Sequence, residues 1–102
     1  MRPVLHGDAV AAARALCLMP EAARPTAMAR MLIRTEAADA YRKRFGRAHP
    51  RWGNGSLMSL VQRDPLPPEP ALDVPGYCRC LALVFAALAD WRAQKAALSG
   101  RR

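Results

Sequence analysis

Apolar residues recur along this chain mainly at intervals of three and four, which is the spacing of one face of an α-helix. In the first stretch these positions are Val10, Ala13, Leu16 and Cys17. They predict a helix from Ala9 to Met19, with the Asp8 carboxylate as its N-cap and Pro20 ending it. The connection over residues 20–25 is short, so the next helix should return antiparallel to the first.

A longer stripe predicts a second helix from Thr26 to Phe45, with Pro25 suited to its first turn. The positions of this stripe are Met28, Met31, Leu32, Thr35, Ala38 and Phe45. Asp39 precedes Lys43 by four residues, which is the spacing of an intrahelical ion pair. Gly46 can adopt the left-handed conformation that ends many helices.

The loop after Gly46 leads into a short third helix, which Ser56 or Asn54 can cap. Its buried side would consist of Leu57, Met58, Leu60 and Val61. Residues 64–75 then carry five prolines, at positions 65, 67, 68, 70 and 75. Because proline fixes φ and lacks an amide hydrogen, we expect an extended surface strap of polyproline character, and neither a helix nor a central strand.

The last apolar pattern predicts a fourth helix that opens near Asp73, as its cap, and continues to about Ala97. Its stripe consists of Tyr77, Leu81, Val84, Leu88 and Trp91. Leu83 and Phe85 lie off this stripe, so the middle of the helix is apolar almost all round. Such a helix is either central in the fold or partly covered by a partner chain.

The predicted fold is therefore an all-α domain of four helices, the third short, with helix 4 packed against the hairpin of helices 1 and 2. Its length of 102 residues supplies one modest core, so residues 1–102 should form a single domain. Residues 98–102 are expected to fray.

The formal net charge of +8 is compatible with a polyanionic partner such as a nucleic acid or an anionic membrane. Composition offers a simpler explanation. Fourteen of the 16 basic residues are arginines, and alanine and proline are also abundant, as GC-rich coding would produce. The charge alone therefore identifies no partner.

The chain has three cysteines, Cys17, Cys78 and Cys80. This number is too small for a disulfide scaffold, and because it is odd the cysteines cannot all pair within the chain. They are expected to be buried structural thiols in a reducing cytoplasm. Polar residues interrupt the N-terminal segment, so no secretory signal is expected. The longest uncharged apolar run, Cys80 to Ala89, is about half of the ~20 residues that a membrane span requires. A soluble protein is expected.

The sequence lacks the motifs of the common enzyme and metal sites. Cys78 and Cys80 are two residues apart on a predicted helix and point to different sides, which disfavours a metal site or a disulfide between them. Ser56 follows two glycines, but the G-x-S-x-G order and a preceding strand are missing. The glycine patterns that bind phosphates and dinucleotides are absent too. We therefore expect no enzyme activity, no metal and no cofactor.

Basic and aromatic residues are densest at the end of helix 2 and in the loop that follows. The candidate binding surface consists of Arg42, Lys43, Arg44, Arg47, His49, Arg51 and Trp52. Aromatic rings among cationic side chains can stack on nucleic-acid bases. However, cations also suit the last turn of a helix, no helix-turn-helix pattern is convincing, and Trp52 after Pro50 is typical of a packed loop anchor.

Two functions stay open on these grounds. The favoured hypothesis is a non-enzymatic helical module that binds another protein or itself, because its methionines offer adaptable apolar surface and helix 4 is more apolar than a small domain can easily enclose. The alternative is a nucleic-acid-binding protein that uses the basic end of helix 2 and the following loop.

The most distinctive motif of the chain is R-A-H-P-R-W-G-N-G-S-L-M, from Arg47 to Met58. Together with the opening residues 1–8 and the segment 77–84, it resembles a family of small bacterial proteins of about this length that carry a domain of unknown function. The resemblance implies a free-standing bacterial domain. It brings no activity, ligand or catalytic residue.

Overall fold

The computed structural model describes residues 1–99 as a helical domain. Its α-helices are α1 (His6–Cys17), α2 (Arg24–Phe45), α3 (Leu57–Val61) and α4 (Pro75–Ser99). A 3₁₀ turn over Glu21–Ala23 precedes α2, and this part of the chain contains no strand. The prediction of an all-α fold with a short third helix is confirmed. Residues 100–102, which belong to the predicted frayed tail, lie outside the described residues.

The first helix begins earlier than predicted, because Asp8 is not its N-cap. Leu5 occupies the cap position, and the Asp8 carboxylate accepts a hydrogen bond from the Leu5 amide at 2.9 Å. An acid at this third helical position satisfies an amide that the helix leaves free. The helix ends at Cys17 rather than Met19, since the Leu18 amide bonds to the carbonyl three residues back, at 3.2 Å.

The second helix begins at Arg24 rather than Thr26, with Pro25 in its first turn as predicted. Gly46 ends it with a φ of +70°, which confirms the left-handed cap. Phe45 was expected in the core, and this prediction is wrong, since its side chain is 52% exposed. As the last residue of α2, Phe45 extends past the core and contacts Tyr41, with ring centroids 4.6 Å apart.

The fourth helix begins at Pro75 rather than near Asp73, and it continues through Ser99 rather than ending near Ala97. Proline suits the first helical turn, because its missing amide hydrogen would have no partner there. The Cys78 amide donates to the Val74 carbonyl at 3.1 Å, which is the first bond of the helical series.

The hydrophobic core lies where α4 packs on α1 and contacts α2, as predicted. The core side of α1 consists largely of alanines, and small side chains let two helices approach closely. Larger buried side chains come from all four helices: Leu16, Met28, Leu32, Leu57, Tyr77 and Val84. The middle of α4 is not enclosed on every side, since Phe85 is 51% exposed.

The proline-rich strap is extended and is tied down at two points. Arg14 donates to the backbone carbonyls of Leu66 and Pro67, at 3.2 and 2.8 Å. The Tyr77 hydroxyl donates to the Glu69 carboxylate at 2.6 Å. Burial and this nearby carboxylate raise the pKa of Tyr77. The strap therefore lies across α1 and the start of α4.

The three cysteines differ in burial. Cys80 is buried and Cys17 is half-buried. The prediction of a buried thiol is wrong for Cys78, which is exposed and donates to the Leu72 carbonyl at 2.8 Å. Two residues along a helix face in different directions, so Cys78 cannot share the core position of Cys80.

Two further properties concern residues 1–99 as a set. None of their helices is long and apolar enough to cross a membrane. Within the same residues, the structure contains no group of three or more histidine, cysteine, aspartate or glutamate side chains that could hold a metal ion.

Candidate binding surface

The loop between α2 and α3 folds back on itself around His49. His49 and Gly53 exchange two backbone hydrogen bonds, at 2.8 and 3.3 Å. The His49 Nδ1 also accepts from the amides of Arg51 and Trp52, at 3.0 and 3.1 Å. His49 therefore shapes the loop.

Two glycines let this loop lie directly against the helices. Gly53 and Gly55 have φ values of +83° and +98°, where other residues are strained. A Cβ at Gly53 would lie 2.8 Å from the Cβ of Ser59, and one at Gly55 would lie 2.8 Å from the Cβ of Asp39. The glycines thus serve close packing on α3 and α2.

The polar residues beside these glycines bond to one another. The Ser56 hydroxyl accepts from the Ser59 amide at 3.2 Å, which confirms Ser56 as the cap of α3. The Asn54 side-chain oxygen accepts from the Ser56 amide at 3.2 Å. The Ser59 hydroxyl accepts from the Asn54 amide at 3.0 Å and donates to the Ser56 carbonyl at 2.8 Å. These residues fix the start of α3.

A buried acid, Asp39, forms ion pairs with two residues of the predicted binding surface. Its carboxylate lies 2.8 Å from Arg42 and 3.2 Å from Lys43, so the predicted ion pair is present. The amino group of Met1 lies 3.3 Å away. Burial alone would raise the pKa of Asp39, but the hydrogen bonds from these cations outweigh it and lower the pKa to about 2. Arg42 and Lys43 therefore mainly neutralise Asp39.

Four rings contact one another in a row beside this loop. We call this row the aromatic strip, and it consists of Phe45, Tyr41, His49 and Trp52. Consecutive ring centroids lie 4.6, 4.9 and 4.7 Å apart. The last pair, His49 and Trp52, is stacked with an angle of 9° between the planes. Trp52 is half-buried, and its ring supports the loop through His49.

Arginines lie at both ends of the aromatic strip. The Arg44 guanidinium lies 5.3 Å from the ring centroid of Phe45, and that of Arg34 lies 5.6 Å from Trp52. Both distances are typical of cation–π contacts. Arg47 and Arg51 are exposed on the loop. Arg34 is absent from the sequence prediction, because no local pattern links a residue in the middle of α2 to a tryptophan 18 positions later.

The strip adjoins a groove of about 360 Å³, with a lining that is both polar and apolar, between the end of α1, α2, α3 and the strap. Its apolar lining includes Leu18, Met19, Ala27, Met31, Leu60 and Val61. Arg30 and Arg34, one helical turn apart on α2, line it as well, as does Asp64. Arg34 therefore belongs to both the groove and the strip.

The fold and these features define the class of this protein as a small all-α domain with a cationic, aromatic surface beside a groove of mixed polar and apolar lining. Residues 2–88 match the model of a family described as a domain of unknown function, DUF7742, and the chain belongs to that family. The resemblance to a family of unknown function is thus confirmed. No curated protein matches the chain. No solved structure matches it.

Proposed function

We propose that this domain is a non-enzymatic interaction module that binds an acidic, partly apolar segment of another protein. The observation that carries the proposal is the position of Arg34. It lies over Trp52 and also lines the groove, so one cation joins the aromatic strip to the apolar side chains of the groove. A partner could place a carboxylate on Arg34 and apolar side chains on either side.

The charge around the two surfaces supports an acidic partner. Five arginines there form no salt bridge within residues 1–99: Arg30, Arg34, Arg44, Arg47 and Arg51. A guanidinium binds a carboxylate through two parallel hydrogen bonds, which gives geometric specificity. Arg30 and Arg34 are one turn apart, so acids spaced along an extended or helical segment could meet both.

The apolar contacts supply the anchor that such interfaces require. Most binding energy at an interface comes from a few apolar or aromatic side chains that fill pockets. The groove volume of about 360 Å³ suits one or two large side chains. Phe45, at the other end of the strip, offers a second exposed apolar contact.

Nucleic-acid binding is the second candidate, supported by the exposed guanidinium groups of Arg47 and Arg51. Contacts to phosphates need only such accessible cations. Base stacking is less well supported, because His49 and Arg34 already contact the ring of Trp52. This is the physical reason for preferring a protein partner.

A competition experiment separates the two candidates. The probe is a fluorescent peptide that alternates glutamate with leucine and phenylalanine, and the competitor is a single-stranded oligonucleotide at low and high salt. We expect the double variant Arg34→Ala/Arg44→Ala to lose about tenfold in peptide affinity, which is ~1.4 kcal/mol. The control Arg79→Ala/Arg92→Ala removes the same charge from exposed positions on α4 and should retain the affinity of the unaltered protein.

Two results would contradict the preferred function. Equal losses in both double variants would show that only net charge matters. Tighter binding of the oligonucleotide, with a steep decrease in affinity as salt rises, would establish the nucleic-acid alternative.

A second copy of the chain is a further possible partner. The exposed side of α4 presents an apolar row at helical spacing, formed by Ala82, Phe85, Ala86 and Ala89. Sedimentation velocity at increasing concentration tests this partner, and Phe85→Glu should abolish any dimer. We also propose a bacterial cytoplasmic setting, which the three free thiols support.

A further inference from the structure

Two cysteines that are 63 residues apart in the sequence lie side by side in the fold. Cys17 is the last residue of α1, and Cys80 lies in the second turn of α4. Their sulfur atoms are 3.4 Å apart, with the Cys17 thiol donating to the Cys80 sulfur. A disulfide bond is about 2.05 Å long, so the sulfurs need to approach by only about 1.4 Å.

We propose that Cys17 and Cys80 form a modification site, at which a low-molecular-weight disulfide oxidises the two thiols to an intramolecular disulfide. The site lies between α1 and α4, and it does not depend on the proposed function.

The burial of the two thiols sets the order of reaction. Cys17 is half-buried, so a small oxidant can reach it, whereas the Cys80 side chain is 1% exposed. Burial and the adjacent Cys17 thiol raise the pKa of Cys80 to about 11, so few Cys80 thiols are ionised near neutral pH. Since the thiolate is the nucleophile, Cys17 reacts first.

The reaction proceeds by two thiol–disulfide exchanges. Cys17 loses its proton to solvent and attacks one sulfur of the oxidant, which breaks the oxidant's S–S bond and releases one thiolate. Cys80 then loses its proton to solvent and attacks the Cys17 sulfur, which releases the second thiolate. Both released thiolates take up protons. The two cysteines are oxidised, and one small disulfide is reduced to two thiols.

The disulfide would join the end of α1 to the start of α4, which are the helices that share the core. A crosslink between residues far apart in sequence restricts the unfolded chain strongly. We expect the oxidised protein to melt about 10 °C above the reduced protein. Oxidation would thus act as a redox-dependent clamp on the fold.

The test compares the full chain after treatment with oxidised glutathione or with a phosphine reductant. Remaining thiols are alkylated, and peptides are mapped by mass spectrometry without reduction. We expect a Cys17–Cys80 crosslink, with the exposed Cys78 outside it and carrying a glutathione adduct. The exposed Cys78 provides the matched control, because Cys78→Ser should form the same crosslink and show the same increase in Tm.

Two variants check the order of reaction. In Cys80→Ser the glutathione adduct on Cys17 should persist, because no second thiol displaces it. In Cys17→Ser the buried Cys80 should stay free. Native-state alkylation of both Cys17 and Cys80 after oxidation, or a crosslink that involves only Cys78, would overturn the proposal. Peptide mapping of Cys78→Ser shows whether the Cys17–Cys80 crosslink forms, even if Cys17→Ser or Cys80→Ser fails to fold.

Discussion

At the scale of single residues, close packing explains the composition of the loop between α2 and α3. Gly55 lies against Asp39 with no space for a side chain, and its backbone carbonyl accepts from the Arg2 amide at 3.1 Å. Gly53 lies against Ser59 in the same way. Each glycine thus sets the distance between the loop and one helix.

We predict that Gly55→Ala destabilises the fold by about 3 kcal/mol. A positive φ costs an L-residue ~1–2 kcal/mol, and forcing a methyl group into a packed site adds a similar amount. Gly46→Ala is the matched control, because Gly46 also has a positive φ but has no atom within 4 Å of the added Cβ. It should cost only about 1 kcal/mol. Urea unfolding measures both, and equal losses would refute the packing argument.

Local rules predict some of these residues and fail for others, depending on how far apart the partners are in sequence. Gly46 and Ser56 act on amides and carbonyls within their own helix ends, so the sequence identifies them. The contact between Arg34 and Trp52 depends on how the loop returns to α2. No periodicity within one segment contains that information.

At the scale of helices, Asp8 joins the starts of α1 and α3. One carboxylate oxygen accepts from the Leu5 amide, and the other accepts from the Met58 amide at 3.0 Å. Both amides belong to helix starts, where the helix supplies no internal partner. Asp8 is 6% exposed, so its charge is balanced mainly by these dipoles.

We predict that Asp8→Ala lowers the free energy of unfolding by about 3 kcal/mol, because it leaves two amides without their charged acceptor. The control Ser56→Ala removes the local cap of α3 and the hydroxyl's hydrogen bond to Asn54, and it should cost about 1 kcal/mol. Hydrogen exchange should show faster exchange at Leu5 and Met58 in the first variant. An effect confined to Leu5 would show that Asp8 does not stabilise α3.

Helix boundaries show the same limit of sequence reasoning. Asp8 and Asp73 are both suitable caps by residue type, yet neither occupies a cap position. Asp8 instead accepts from an amide 50 residues away. Phe45 fits the apolar stripe of α2, but it is the last residue of the helix and is 52% exposed, with Tyr41 and Arg44 beside its ring. Element type follows from local spacing, whereas burial depends on the lengths of neighbouring helices.

At the scale of the whole molecule, the placement of three acids leaves the arginines around the aromatic strip without a salt-bridge partner within residues 1–99. Asp8 and Asp39 are buried, and Glu36 lies 2.8 Å from both the Met1 amino group and Lys95. These acids are therefore not available to neutralise the arginines around the aromatic strip. The sequence gives the excess of positive charge, but only the fold shows where it is unbalanced.

The ion pairs of Asp39 with Arg42, Lys43 and the Met1 amino group also make the stability depend on pH. The pKa of Asp39 falls from 3.8 to about 2 on folding. Because the folded-state pKa is the lower one, the contribution is fully present above pH ~4 and is lost as the pH falls towards 2. A shift of this size corresponds to about 2 kcal/mol.

We therefore predict that the free energy of unfolding decreases between pH 4 and 2, and that Asp39→Asn removes much of this dependence while destabilising the protein at neutral pH. Urea titrations at several pH values measure both effects. Glu36→Gln is the comparison: hydrogen bonds from Lys95 and the Met1 amino group also lower the pKa of Glu36, but its side chain is 33% exposed, so solvent screens its charge more. If Glu36→Gln reduced the pH dependence of the free energy of unfolding more than Asp39→Asn does, the acid-sensitive contact would lie at the surface. The expected order places it at Asp39, where the Met1 amino group, α2 and Gly55 of the loop between α2 and α3 meet.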